Sequence, residues 1–147
     1  RIKMYLKQHI FFGLIFALAL LLLFPKIGYL GFSIIILSSV LIDFDHYLFY
    51  IYKKKDFNLK NAYNLFIQED KHCRSLPWEE RKNLPSKIFI LHGIEVLIIL
   101  IFLSFAFNYF LFIFAGFAFH LLLDLVDQTA YWPKTIKLSV IHDILKR

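Results

Sequence analysis

The sequence predicts an all-α integral membrane protein. It would form one transmembrane domain over 1–147, a bundle of about four transmembrane helices with a partly helical cytoplasmic connector and a C-terminal surface tail. Three observations predict this. Hydrophobic residues make up 59% of the 147 residues and the mean hydropathy is +0.62, more apolar surface than one soluble core of this size can hide. The apolar residues fall in runs of bilayer-crossing length, and a helix there satisfies its own backbone groups. Lys and Arg are nearly excluded from those runs and fill the segments between them.

The first helix is expected over 8–24. Arg1, Lys3 and Lys7 precede its apolar run as in a signal peptide, but no small-x-small site closes it and a longer apolar segment follows at once. It therefore reads as a retained helix. Pro25 and Gly28 mark a turn. The second helix is expected over 29–52, long enough to span with some tilt, and Lys53-Lys54-Lys55 ends it.

The connector covers 53–86. Leu59, Ala62, Tyr63 and Phe66 recur at helical spacing, which suggests an amphipathic surface helix. Pro77-Trp78-Glu79-Glu80 resembles the start of a second short helix, with Pro early and acids in the first turn. A solvated connector is the equal alternative. The third helix is expected over 87–107 and the fourth over 109–127, with Asn108 as the break between them. Tyr131-Trp132-Pro133 reads as an interfacial stop, and 134–147 as a basic surface tail. Gly93 and Gly116 suit close helix contact.

Four spans put both termini and the connector on one side. Sixteen of the 17 Lys and Arg residues then share that side, Lys26 being the exception. The positive-inside rule makes it the cytoplasmic face of the cytoplasmic (inner) membrane. Membrane lipid with anionic headgroups is the expected partner, helped by Arg81, Lys82 and Lys87. No interleaving of aromatic and basic residues on a polar surface points to nucleic acid. A homo-oligomer is left open. Cys73 is the one cysteine, so no internal disulfide forms, and His72-Cys73 in a charged segment reads as neither ligand nor nucleophile.

Ionisable groups inside membrane helices are costly and default to function. His9 opens helix one; Asp43, Asp45 and His46 close helix two; His92 and Glu95 open helix three; His120, Asp124 and Asp127 close helix four. Alternating helix directions deliver all of them to one layer. Asp43 and His46 are three apart, as are His92 and Glu95, and His120 and Asp124 are four apart, so each pair shares a helix face. Helical bundles build metal sites in this way. Imidazole and carboxylate suit Zn first, or Mn or Fe, and the set is large enough for one or two divalent ions. His9 and Asp127 have an interfacial alternative, Asp45 lies off the Asp43/His46 face and could be a solvent-facing cap, and His142-Asp143 reads as surface.

A His at the start of the first helix, Asp43-Phe44-Asp45-His46, His92-Gly93 and His120-Leu121-Leu122-Leu123-Asp124 together resemble the membrane-bound metal-dependent hydrolase family, small inner-membrane proteins of which some are LexA-regulated. The resemblance covers His9 to Asp124 and implies His9, Asp45, His46, His92, His120 and Asp124 as metal and active-site positions. The family commonly shows His-Arg-Gly followed by Thr-His-Ser. Here His92 is followed by Gly93-Ile94-Glu95, so Glu95 stands in as ligand or general base. The His-x-x-x-Asp element is also similar to one in zinc-dependent phospholipases C.

The expected function is hydrolysis of a phosphoester in a membrane lipid or lipid-linked substrate. The expected ligands are His9, Asp43, Asp45, His46, His92, Glu95, His120 and Asp124, with Glu95 and Asp45 catalytic. The alternatives are a metal-dependent amide hydrolase, for which no His-Glu-x-x-His string exists, and a non-catalytic metal-stabilised adaptor or ion-binding protein.

Overall fold

A computed structural model describes residues 6–81, 84, 89–131 and 139–141. Among the described residues every regular element is helical and none is a strand. The chain runs α1 (Leu6–Leu23), a 3₁₀ turn at Pro25–Ile27, α2 (Gly28–Leu41), α3 (Phe44–Lys54), α4 (Leu59–Ser75), α5 (Trp78–Arg81), a 3₁₀ turn at Ile90–His92, α6 (Ile94–Ser104) and α7 (Tyr109–Tyr131). Two stretches are long and apolar enough to cross a membrane, Pro25–Lys54 and Tyr109–Thr129. Lys7–Leu23 and Ile94–Ser104 are apolar but shorter.

Proline at the first position sets the turn after α1, and Gly28 takes a positive φ of 65° beyond it, which a side chain would resist. Four apolar helices then pack together: α2 lies against both α1 and α7, α1 also meets α7, and α6 lies against α7. Ile42, Leu100 and Phe117 form the buried apolar centre, and the rings of Phe16 and Phe119 stack at 4.1 Å. The backbones of α2 and α7 approach closely at Gly116, where an added Cβ would come 2.6 Å from the Ile35 carbonyl oxygen. Only glycine permits that contact.

The outside of the bundle is as apolar as the inside. Leu22 is 72% exposed and Phe105 81%, while His9 is 4%, Asp45 7% and His120 1% exposed. This inverted distribution suits a lipid surround and would be unfavourable in water.

Three boundaries depart from the sequence reading. The second helix begins at Gly28 and is interrupted at Ile42 and Asp43, so the expected 29–52 segment is two helices. The third helix begins at Ile94, where 87–107 was expected: Phe89 is extended, residues 90–92 form a 3₁₀ turn, and Gly93 is extended at φ −98°, ψ 150°. Its cause is a side chain, for the Leu91 N–H donates to Asp45 Oδ2 at 3.0 Å. The fourth helix extends to Tyr131, beyond the expected 127.

Among its described residues the connector carries two helices, α4 and α5. Asn58 caps α4 by accepting from the N–H groups of Lys60 and Asn61 at 2.9 and 3.2 Å. Of its predicted apolar stripe, Ala62 is buried, while Leu59 and Tyr63 are exposed. Arg74 pairs within α4 with Asp70 Oδ1 and ties the far end of that helix to α7 through Asp127 Oδ2, both at 2.7 Å.

Candidate metal centre

Seven of the expected residues meet at one end of the helices. His9 comes from α1, Asp43 from the turn between α2 and α3, Asp45 and His46 from the first turn of α3, His92 from the 3₁₀ turn, and His120 and Asp124 from one face of α7. Four of their atoms form a compact set. His92 Nε2 lies 3.7 Å from Asp43 Oδ1 and 3.5 Å from Asp124 Oδ2. His120 Nε2 lies 3.5 Å from the same Asp43 oxygen and 3.4 Å from the same Asp124 oxygen. A cation about 2.0–2.2 Å from four tetrahedral donors sets neighbouring donors roughly 3.3–3.6 Å apart. The four nitrogen–oxygen separations, 3.4–3.7 Å, lie at or just above that spacing.

The far side of each imidazole fixes which nitrogen is free. His120 Nδ1 is 2.7 Å from the Ser39 carbonyl, which can only accept, so Nδ1 carries a proton, and in the neutral imidazole Nε2 presents a lone pair. His92 Nδ1 is 3.0 Å from the Asp45 carboxylate, and the same logic holds. Both Nε2 atoms are buried without a hydrogen-bond partner. They face the carboxylate oxygens of Asp43 and Asp124, so with neutral imidazoles acceptor faces acceptor, an arrangement that a divalent cation or a proton on Nε2 relieves. The donors present therefore fit a divalent metal ion.

Around this set, His9 Nε2 approaches the other Asp124 oxygen, Oδ1, at 3.3 Å, and its ring stacks on His120 at 4.1 Å. His9 Nδ1 is buried and without a hydrogen-bond partner. His46 is partly exposed at the edge. Its Nδ1 lies 2.9 Å from Asp45 Oδ1, and its ring stacks on Phe89 at 3.8 Å and meets Phe66 of α4 edge-on at 5.5 Å. Two three-residue groups have ligand atoms close enough to share an ion: His9, His120 and Asp124, and Asp43, His46 and His92.

Asp45 is neither the solvent-facing cap that its position off the Asp43/His46 face suggested nor directed at the four-atom set. Its oxygens accept from His46 Nδ1, His92 Nδ1 and the Leu91 N–H. Carboxylates placed this way orient metal-binding imidazoles. Glu95 is not brought to the cluster. It accepts from Ser139 Oγ and from the N–H groups of Val140 and Ile141 at 3.2 and 3.1 Å, so it caps the returning C-terminal segment. The reason is local: Gly93 breaks the backbone between His92 and Glu95, so their three-residue spacing no longer lies on one helix face. Asp127 pairs with Arg74. Arg81 donates to the carbonyls of Leu76 and Arg74 at 2.8 and 2.6 Å, which ties down the α4–α5 corner. Lys82, Lys87, His142, Asp143 and most of the 134–147 tail lie outside the described residues.

Sequence reasoning missed Ser39, whose contribution is a backbone carbonyl, and the ring walls Phe66 and Phe89. The Ser38-Ser39 pair inside an apolar helix was the available signal. Both hydroxyls donate back to carbonyls three residues earlier, Ile35 at 3.0 Å and Ile36 at 2.8 Å, a pattern that bends helices. No family model, no curated protein and no solved structure matches this chain, so the hydrolase resemblance stands on the quoted motifs alone.

Proposed function

We propose that this protein is a membrane-embedded, metal-dependent hydrolase that cleaves a phosphoester in a membrane lipid or lipid-linked substrate. The observation that carries the reading is the four-atom donor set of His92, His120, Asp43 and Asp124, with nitrogen–oxygen separations of 3.4–3.7 Å, among helices whose outer faces are apolar. In this reading α1, α2–α3, α6 and α7 form a four-helix bundle in the cytoplasmic membrane. Both termini, the connector and the cluster then face the cytoplasm, at the depth of lipid phosphates and beside anionic headgroups. The motif resemblance to membrane-bound metal-dependent hydrolases points the same way.

A divalent cation held there, zinc before manganese or iron, supplies electrophilic polarisation of a phosphoryl oxygen and activation of water. The chain's own groups do the rest. Asp43, His92, His120 and Asp124 would hold the cation, and Asp45 locks the His92 ring. His46, oriented by Asp45 and partly exposed, is the group placed to take a proton at Nε2. Phe89 and Phe66 wall its ring from the connector side.

A second reading has a specific observation behind it. Four protein donors gathered around one point can close a coordination shell, which is the mark of a structural ion. The same centre would then stabilise a non-catalytic membrane protein. The two readings separate in one experiment. Purified protein is reconstituted with a panel of phospholipids and lipid-linked phosphates, with Zn or Mn, and released phosphate or phosphorylated headgroup is measured. Turnover abolished by His46→Ala with metal retained supports the enzyme. No turnover across the panel, with chelation lowering the Tm, supports the structural ion.

A further inference from the structure

The interruption between α2 and α3 has no proline or glycine to cause it, and the residues there are backbone-normal. Ile42 has φ −58°, ψ −34° and Asp43 φ −68°, ψ −7°, both right-handed. Sharp departures from a helix need an identifiable cause. The hydrogen bonds supply one. In an uninterrupted helix the Ser39 carbonyl would accept from the Asp43 N–H four residues later. Here the Asp43 N–H donates to Val40 at 3.2 Å, and the Ser39 carbonyl accepts from His120 Nδ1 at 2.7 Å. The Ile42 N–H is divided between Ser38 and Val40, with the Ser38 bond stretched to 3.4 Å. The Ser38 and Ser39 hydroxyls weaken the ladder further by donating back along the helix.

This winding decides where Asp43 points. A three-residue turn advances about 120° per residue against about 100° in an α-helix. Asp43 therefore sits at an angle around the helix that the regular ladder would not give it, and at that angle its Oδ1 reaches both His92 and His120.

We propose that the α2–α3 turn is a metal-linked hinge: a divalent cation at the His92, His120, Asp43 and Asp124 set holds the Ser39 carbonyl on His120 and Asp43 in the tightened turn, and removing the cation lets the Ser39 carbonyl bond to the Asp43 N–H and swings the Asp43 carboxylate out of the set. The proposal rests on the metal-site reading and adds a conformational consequence to it. The cation bridges donors from α7, the 3₁₀ turn and the hinge simultaneously only while the turn is tightened, so it binds that state better and shifts the population toward it.

The test uses the full chain in nanodiscs. Nitroxides are placed through Lys26→Cys and Lys54→Cys, exposed positions on either side of the hinge, with Cys73→Ser as background. Zinc content is measured by elemental analysis of the same samples, and the distance between labels is read with zinc and after chelation. The expected result is one bound zinc and a label-to-label distance that changes by of order 2 Å or more and narrows on zinc loading. In the same labelled background, His120→Ala is expected to show the chelated distribution whether or not zinc is added. Zinc bound with an unmoved distance overturns the hinge and leaves the metal site standing. No zinc bound overturns the metal site and the hinge with it. A zinc-dependent shift that survives in His120→Ala overturns the assignment of His120 as the latch.

Discussion

Asp45 and Glu95 are both acids in the first turn of a helix, and the two helices start near the same end of the molecule, yet they serve different regions. Asp45 is buried among imidazoles and holds His46, His92 and the Leu91 N–H. Glu95 faces the other way and holds Ser139 and two backbone N–H groups of the returning C-terminal segment. The comparison shows that residue type and depth along the chain do not assign a carboxylate to a metal centre. What assigns it is which donors the neighbouring backbone leaves unpaired. Near Asp45 these are imidazole nitrogens and the irregular 89–92 turn; near Glu95 they are the Ser139 hydroxyl and the N–H groups of Val140 and Ile141.

Four substitutions or conditions sharpen or break that contrast. His120→Ala removes one of the four donors and should lower metal affinity by more than about 100-fold, beyond the loss typical of an outer-shell partner. Competitive titration against a chromogenic chelator measures it. Asp45→Asn keeps the shape but takes away the anionic partner of two imidazoles, so a loss of about 10–100-fold is expected in the same titration. An unchanged affinity would remove Asp45 from the centre altogether.

Glu95→Gln should leave metal affinity within about twofold while loosening the C-terminal segment, with a stability cost of about 1 kcal/mol or less, the scale of a lost cap. Limited proteolysis near residue 139 reads the loosening. A large drop in metal affinity would instead return Glu95 to the ligand set.

The smallest effect lies at the α3–α4 corner. Asp56 accepts from the Tyr50 hydroxyl, the Asn61 amide and the Asn58 N–H, and these bonds, the Tyr50 one first, hold its carboxyl below the usual range. A depressed carboxyl pKa contributes stability that is present at neutral pH and lost as pH falls through the folded-state value. Thermal melts from neutral toward acid pH should therefore show a small decrease that Asp56→Asn removes. An identical pH profile in the variant would show that these bonds carry no measurable linkage.

Much of this protein is legible without coordinates. The apolar runs, the Pro25–Gly28 turn, the lysines after residue 52 and the Asn108 break mark the helical segments because helix formation in apolar surroundings depends on local composition. The convergence of His9, Asp43, His46, His92, His120 and Asp124 is also legible, since alternating helix directions bring those positions to one layer whatever the packing details. Three boundaries were not, and two of them are set by contacts between residues far apart in sequence. His120 takes the Ser39 carbonyl 81 positions earlier and opens the second helix; Asp45 takes the Leu91 N–H 46 positions later and delays the third. Composition and periodicity carry no information about such bonds. Sequence alone determined an all-helical chain with its ionisable groups in one layer, because those follow from local hydropathy and helical period. Only the tertiary structure decided which carboxylates face the imidazoles' free nitrogens, which orient them, and which turn away, because each choice depends on a backbone hydrogen bond that a distant side chain takes over.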